Sequence, residues 1–110
     1  MSNIDDLIAT RRLTHGDFTE SSTITQAIKG VIKQTPNWER LTDWQKESAE
    51  MQAQKWGRIL AGDPMLAEHW EDLEGYNRMV SQRLHMQRAG AEGTKTIARL
   101  LRPKLPEIGE

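Results

Sequence analysis

Two pairs of polar residues in this sequence have the types and spacing that suit chemistry. Glu47 and Glu50 form the first pair, and His69 and Asp72 follow after eighteen residues. Side chains three positions apart lie on the same face of an α-helix, so each pair would act together. Inward carboxylates are costly to bury without a cation, and hard oxygen ligands favour Mg²⁺ or Mn²⁺ over zinc. A pocket that held Glu47, Glu50 and Asp72 together would therefore favour a bound divalent cation.

A helical hairpin must position these pairs. Thr42 followed three residues later by Gln45 is a capping box, and it predicts a helix over residues 43–61. The turn Gly62-Asp63-Pro64 follows: glycine suits a left-handed residue after a helix, aspartate caps the next helix, and proline suits its first position. We therefore expect a second helix, antiparallel to the first.

The rise of an α-helix indicates which residues of the hairpin lie at the same height. At about 1.5 Å per residue away from the turn, Asp72 is level with Gln54, and Tyr76 is nearly level with Glu50. Apolar side chains repeat at helical spacing on each helix. These stripes are Ala49, Ala53, Trp56 and Leu60 on the first helix, and Leu66, Leu73, Val80 and Leu84 on the second, with His69 inside the latter. A pocket between the helices could thus hold the acidic residues, although a solvated acidic face is the other interpretation.

Three longer motifs carry a resemblance to known proteins. They are His15-Gly16-Asp17-Phe18, Lys55-x-x-Arg58-Ile59-Leu60-x-Gly62-Asp63-Pro64, and His69-Trp70-x-Asp72-x-x-Gly75-Tyr76. Over residues 11–80 the chain is similar to a group of short phage and prophage proteins of unknown function. More distantly, the two spaced pairs resemble the ExxE…ExxD signature of the MazG-like, all-α nucleoside triphosphate pyrophosphatases.

That resemblance implies a fold and an activity. The fold would be an all-α helical bundle built on a central antiparallel helical hairpin. The activity would be Mg²⁺-dependent hydrolysis of a (d)NTP to NMP and pyrophosphate, with Glu47, Glu50 and Asp72 on the metal and with Glu50, His69 and Asp72 as catalytic candidates. His69 replaces a glutamate of the superfamily, and imidazole is a poor Mg²⁺ ligand. Its role as a general base, a phosphate contact or a core histidine stays open.

Further residues are candidates for contact with the ligand. The set comprises His15, Asp17, Lys55, Arg58 and Tyr76, and Arg11 and Arg12 could also meet phosphates. For the His15–Phe18 stretch, the alternative is a plain helix connection with Phe18 buried. The four tryptophans indicate core packing, with stacking on a nucleobase as the sharper alternative.

The alternative function is that of a binding protein rather than an enzyme. The chain would then be a non-enzymatic helical phage protein that sequesters a nucleotide, or that binds and inhibits a host protein. The histidine at position 69 favours this alternative.

Length and composition limit the number of domains and the classes of partner that this chain can have. The chain has 110 residues, no cysteine and a net charge of −1, which predicts one helical domain over residues 1–88 and argues against broad nucleic-acid binding. Residues 89–110 are predicted to form a flexible hinge at 89–93 and a basic helical tail capped by Thr94.

No apolar run could span a membrane and the N-terminus lacks a signal-peptide pattern. We therefore expect no membrane partner and a cytoplasmic location, which is the host cytoplasm for a phage protein. Small helical hairpins leave apolar faces uncovered, which predicts a homo-oligomer, a dimer or tetramer.

The remaining predictions concern helices and glycines. A short helix capped by Ser2 runs through Arg11, and an amphipathic helix covers residues 20–34. The apolar side chains assigned to the core on the latter are Ile24, Ala27, Ile28, Val31 and Ile32. Gly57 and Gly75, inside the hairpin helices, predict close approach of a neighbouring helix or a ligand.

Overall fold

The computed structural model describes residues 3–101, and every regular element in that range is helical. Four α-helices follow one another along the chain, with a single 3₁₀ turn at Trp38–Arg40 between the second and third. They are α1 (Asn3–His15), α2 (Phe18–Lys33), α3 (Asp43–Ala61) and α4 (Ala67–Leu101). The predicted all-α class is confirmed. Contacts divide the chain into two compact units after Val80.

The turn between α1 and α2 forms as the sequence predicts. Gly16 adopts a left-handed conformation with φ of 80°, and its N–H donates to the carbonyl of Arg12 at 3.0 Å. The Asp17 carboxylate then accepts the N–H of Glu20 at 3.2 Å and caps α2. The predicted cap of α1 at Ser2 lies outside the described residues.

The start of α3 agrees with the sequence, and its end does not. Both hydrogen bonds of the capping box are present, because Gln45 N–H donates to Thr42 Oγ1 at 3.2 Å and Thr42 N–H donates to Gln45 Oε1 at 2.9 Å. The predicted left-handed Gly62 is wrong, since its φ is −111°. Asp63 Oδ1 accepts the N–H of Met65 at 2.9 Å, so it closes a turn that precedes α4 rather than capping α4 itself.

α3 packs on α2 through a glycine. A Cβ atom on Gly57 would overlap Thr25 Oγ1 and would lie 2.7 Å from the carbonyl oxygen of Ser21. The close approach predicted at Gly57 is therefore confirmed, whereas nothing lies within 4 Å of a Cβ on Gly75. Ala53, four residues before Gly57 on the same face of α3, is 2% exposed.

α4 lies along the opposite face of α3. Ser48 Oγ donates to the backbone carbonyl of Tyr76 at 3.2 Å, and the rings of Trp56 and Trp70 meet edge to face at 5.4 Å. In sequence, Ser48 and Gly57 are nine residues apart, which places them on opposite sides of the helix at 100° per residue. The middle helix of the first unit is therefore α3, with α2 on one side and α4 on the other.

The apolar core of the first unit is small. Among residues 3–101 the buried apolar side chains are Trp38, Ala53, Ile59 and Leu73. The apolar face predicted to be core on α2 is only partly covered, because Val31 is 69% exposed and Ala27 is also exposed. The physical reason is that α2 packs mainly on α3, and one neighbour cannot cover a whole apolar face.

The second unit continues as helix through the predicted hinge. Residues 89–93 are helical, and the hydroxyl groups of Thr94 and Thr96 donate to the carbonyls of Gly90 and Glu92 at 3.0 Å each. The predicted hinge and the predicted cap at Thr94 are wrong here. Isolated glycines weaken a helix by about 1 kcal/mol each without breaking its hydrogen-bond ladder. None of the described helices is both long enough and apolar enough to cross a membrane.

Candidate functional site

The three predicted metal ligands lie in different surroundings. Glu50 faces α2, where its carboxylate is 3.0 Å from the ammonium of Lys33 and 3.9 Å from that of Lys29. Asp72 is on α4, and Glu47 is exposed. Within residues 3–101 no three histidine, aspartate or glutamate side chains are grouped so that they could hold a metal ion. Because α3 separates α2 from α4, the structure does not bring the predicted ligands together.

Asp72 has its own cation. Its carboxylate lies 2.8 Å from the ammonium of Lys55, whose side chain is only 13% exposed. The hydrogen bond from Lys55 lowers the pKa of the Asp72 carboxyl below its usual value. Lys55, a predicted phosphate contact, is thus engaged within the fold. Tyr76, another candidate, is half-buried, and its backbone accepts the hydrogen bond from Ser48.

His69 is a core histidine. It is 2% exposed, and its Nε2 atom lies 2.8 Å from the backbone carbonyl oxygen of Thr14. A carbonyl oxygen can only accept, so Nε2 carries the hydrogen. Of the three roles left open for His69, the structure supports the structural one, since this nitrogen is already committed to the backbone.

His15 lies beside His69 and is partly exposed. The two rings meet edge to face at 5.1 Å, and His15 Nδ1 shares a hydrogen bond with Thr14 Oγ1 at 2.6 Å. Burial lowers the pKa of His15, and the positive charge of Arg58 lowers it further. Both effects favour the neutral imidazole of His15.

A cleft of about 500 Å³ opens where the turn between α1 and α2 meets α3. Its polar lining is mainly cationic, and its apolar lining comes from α1 and α2. The cations are Arg11, Arg12 and Arg58, His15 also lines the cleft, and the apolar side chains are Ile8 and Phe18. Arg11 and His15 reach the same wall because they are four residues apart on α1.

The positive charge of this cleft is incompletely neutralised. Arg12 lies 3.6 Å from the carboxylate of Asp17, which also lines the cleft. No acidic side chain of the described residues lies within 4.0 Å of the guanidinium of Arg11 or of Arg58. Partial burial lowers the pKa of Arg58, and the charge of Arg11 lowers it further. The charge of Asp72 on α4 acts in the opposite direction on the pKa of Arg58 and offsets part of this effect. The arrangement can bind an anion because neither guanidinium group is in direct contact with a carboxylate.

Three of the predicted ligand contacts line this cleft, and two do not. His15, Asp17 and Arg58 are in the lining, whereas Lys55 and Tyr76 lie on the α4 side of α3. The alternative interpretation of this stretch, with Phe18 buried, is wrong, since Phe18 is 83% exposed. Its position directly after the N-cap was a usable signal, because a first-turn side chain is often directed away from the body of the helix.

No protein-family model, curated protein or solved structure matches this chain. The resemblance to phage proteins and to MazG-like pyrophosphatases therefore stays a prediction.

Proposed function

We propose that this protein is a non-enzymatic nucleotide-binding protein that holds the phosphates of its ligand between Arg11 and Arg58. The observation that carries the proposal is the pair of guanidinium groups facing one cleft without a carboxylate on either. Bound phosphate would place negative charge directly against Arg11 and Arg58, where the described residues place none within 4.0 Å.

Arginine suits this role for a geometric reason. Its guanidinium group is planar and presents several N–H donors in a fork that matches two phosphate oxygens. Arg58 is half-buried, which reduces the number of side-chain conformations that phosphate binding would have to restrict. Arg11 is exposed and can adjust to the ligand. Together they favour a polyphosphate or a phosphate monoester over a weakly charged ligand.

The apolar lining favours a ligand that also carries a ring. Phe18 exposes 83% of its surface, and Ile8 exposes 54%. Both line the same cleft as the arginines. An aromatic side chain beside cations is the combination that binds nucleotides, because the base stacks while the phosphate pairs. A nucleotide therefore fits the cleft better than inorganic phosphate does.

Sequestration is better supported than hydrolysis. Metal-assisted hydrolysis of a triphosphate needs carboxylates that converge on a cation next to the phosphates. Here Glu50 pairs with Lys33 and Lys29, Asp72 pairs with Lys55, and neither carboxylate lines the cleft. Nucleotide binding through arginine requires no divalent ion.

Calorimetric titration of the purified protein with ATP and ADP tests the proposal. We expect binding both in Mg²⁺ and in EDTA, and we expect Arg11→Gln to weaken it by about ten-fold, the usual worth of one charged hydrogen bond. Arg88→Gln is the matched control, because it removes the same charge from an exposed helical position in the second unit.

Two outcomes would overturn the proposal. One is the absence of binding to any member of a full nucleotide panel. The other is release of pyrophosphate from a (d)NTP in Mg²⁺ that is lost in Glu50→Gln or Asp72→Asn, which would establish the hydrolytic function instead.

A further inference from the structure

A groove adjoins the cleft that Arg11, Arg12 and Arg58 line, which we call the arginine cleft. It has a volume of about 220 Å³ and runs between α2 and α3. Its polar lining includes Gln26 and Lys29 from α2 and Gln54 from α3. One of these, Lys29, is cationic, and its side chain is 24% exposed. Its ammonium is 3.9 Å from the carboxylate of Glu50, which lies closer, at 3.0 Å, to Lys33.

The arginine cleft and the groove between α2 and α3 share one wall. Phe18, Ser21 and Arg58 line both of them. Phe18 therefore stands at the boundary with most of its ring surface open to solvent. Arg58 is the cation that both grooves can use.

We propose that the ligand of this protein is an oligonucleotide of at least two nucleotides, with the 5′ phosphate in the arginine cleft and the following nucleotide in the α2–α3 groove. The inference rests on the proposed nucleotide binding and adds a second subsite to it. Phe18 is the stacking platform between the two subsites, and Lys29 and Gln26 serve the second nucleotide.

The dimensions of the groove support a ligand longer than one nucleotide. Phe18 and Lys29 are eleven residues apart on α2, a distance of about 16 Å along the helix axis. One nucleotide that contacts Arg58 with its phosphates and Phe18 with its base leaves the Lys29 end of the groove empty. A second nucleotide fills that end, and its own phosphate then lies close to a cation.

The lining also fits the chemistry of single-stranded nucleic acid. Proteins that bind single strands combine cations along the backbone with aromatic side chains on which bases stack. Glutamine amides such as those of Gln26 and Gln54 can both donate to and accept from base edges or sugar hydroxyls. The cations are concentrated along one short path, which explains how a chain of net charge −1 can bind a small polyanion.

The test compares the 5′-phosphorylated dinucleotide pApA with ADP, which carries a similar negative charge but only one nucleoside. In calorimetric titrations of the full chain, we expect pApA to bind at least ten-fold more tightly. Gln26→Glu places a negative charge in the second groove at an exposed position, three residues from Lys29 on α2. We expect this variant to lose several-fold in affinity for pApA while its affinity for ADP stays within two-fold.

The matched control is Gln87→Glu, the same substitution at an exposed position in the second unit. It should leave both affinities unchanged, and thermal denaturation should show both variants folded. Equal affinity for pApA and ADP, or equal loss of both in Gln26→Glu, would overturn the second subsite and leave the proposed nucleotide binding intact. Failure of both ligands to bind would overturn both proposals.

Discussion

The imidazole Nε2 of His69 lies 2.8 Å from the backbone carbonyl oxygen of Thr14, 55 residues earlier in the chain. The same oxygen accepts the N–H of Asp63 at 3.0 Å. Two turns are joined in this way, the one between α1 and α2 and the one between α3 and α4. They are in such close contact that a Cβ on Gly62 would lie 2.6 Å from the nitrogen of Gly16. This junction holds the α1 wall of the arginine cleft.

Replacement of His69 should destabilise the fold. We expect His69→Ala to lower the free energy of unfolding by about 2–4 kcal/mol, because it leaves a cavity and removes one of the two donors to the Thr14 carbonyl. His69→Gln retains an N–H donor at a similar distance from the backbone and should recover part of that loss. Urea denaturation measures both values. A His69→Ala protein with unchanged stability would contradict the structural role.

Two helical glycines should respond in opposite directions to alanine. Gly57→Ala should lower the free energy of unfolding by at least about 1–3 kcal/mol, the usual cost of overpacking, because the new methyl group meets the fixed carbonyl of Ser21. Gly75→Ala should raise it by about 1 kcal/mol, since Gly75 has open space and alanine is the better helix former. Chemical denaturation of the Gly57→Ala and Gly75→Ala variants tests the packing of α2 on α3. Equal effects of the two substitutions would show that α2 does not press on Gly57.

The stability should fall as the pH is lowered below about 6.5, partly through His15. The folded pKa of His15 is below its unfolded value of 6.5, so between these two values the unfolded chain binds a proton that the folded chain does not. The free energy of unfolding therefore rises with pH through that window. His15→Gln should flatten this part of the profile, measured by urea denaturation between pH about 5 and 8.

The Asp72 carboxyl acts in a separate pH window. Its folded pKa is lowered below 3.8, so its contribution to stability is present above that value and is lost as the pH falls through the folded pKa. The His15→Gln comparison is made at higher pH and does not include this effect. A profile that is equally steep in the wild type and in His15→Gln would contradict the assignment to His15.

Ligand binding should raise the pKa of His15. Positive neighbours, with Arg58 first among the charges, now disfavour its protonated form. A bound phosphate adds negative charge to the same cleft and favours the protonated imidazole. Titration of the His15 ring by NMR, with and without saturating ADP, measures the change. A pKa that stays constant on binding would place the phosphate away from Arg11 and Arg58.

Divalent cations alone should leave the melting temperature unchanged. A ligand stabilises a fold only if it binds the folded chain, and the described residues group no three metal-binding side chains together. Thermal denaturation with and without Mg²⁺ or Mn²⁺ checks this expectation. Stabilisation by several degrees that disappears in both Glu50→Gln and Asp72→Asn would show that these carboxylates share a cation after all.

In the hairpin of α3 and α4, the sequence predicts the height of a residue along its helix but not the direction that its side chain faces. Helical rise predicted that Asp72 lies level with Gln54, and the structure places Asp72 against Lys55, the next residue along α3. Height along a helix depends only on the number of residues from the turn, so the sequence predicts it well. Rotation about the helix axis depends on which neighbour packs on which face, so the sequence did not predict that Glu50 pairs with lysines of α2 instead of sharing a pocket with Asp72.

The sequence by itself determined the local structure. The capping box at Thr42, the turn at Gly16 and the all-helical class follow from side chains and backbones only a few residues apart, because caps and turns are short-range hydrogen bonds. It also indicated His15, Asp17 and Arg58 as candidates for one site.

Only the tertiary structure decided which charges neutralise one another. Glu50 takes its cations from α2, and Asp72 takes its cation from Lys55 across the gap between α3 and α4. An ion pair requires two groups within about 4 Å, and the faces that meet are set by packing at Gly57 on one side and at Ser48 on the other. The arginines that remain without a carboxylate define the cleft, and no local pattern in the sequence distinguishes them from solvated surface charges.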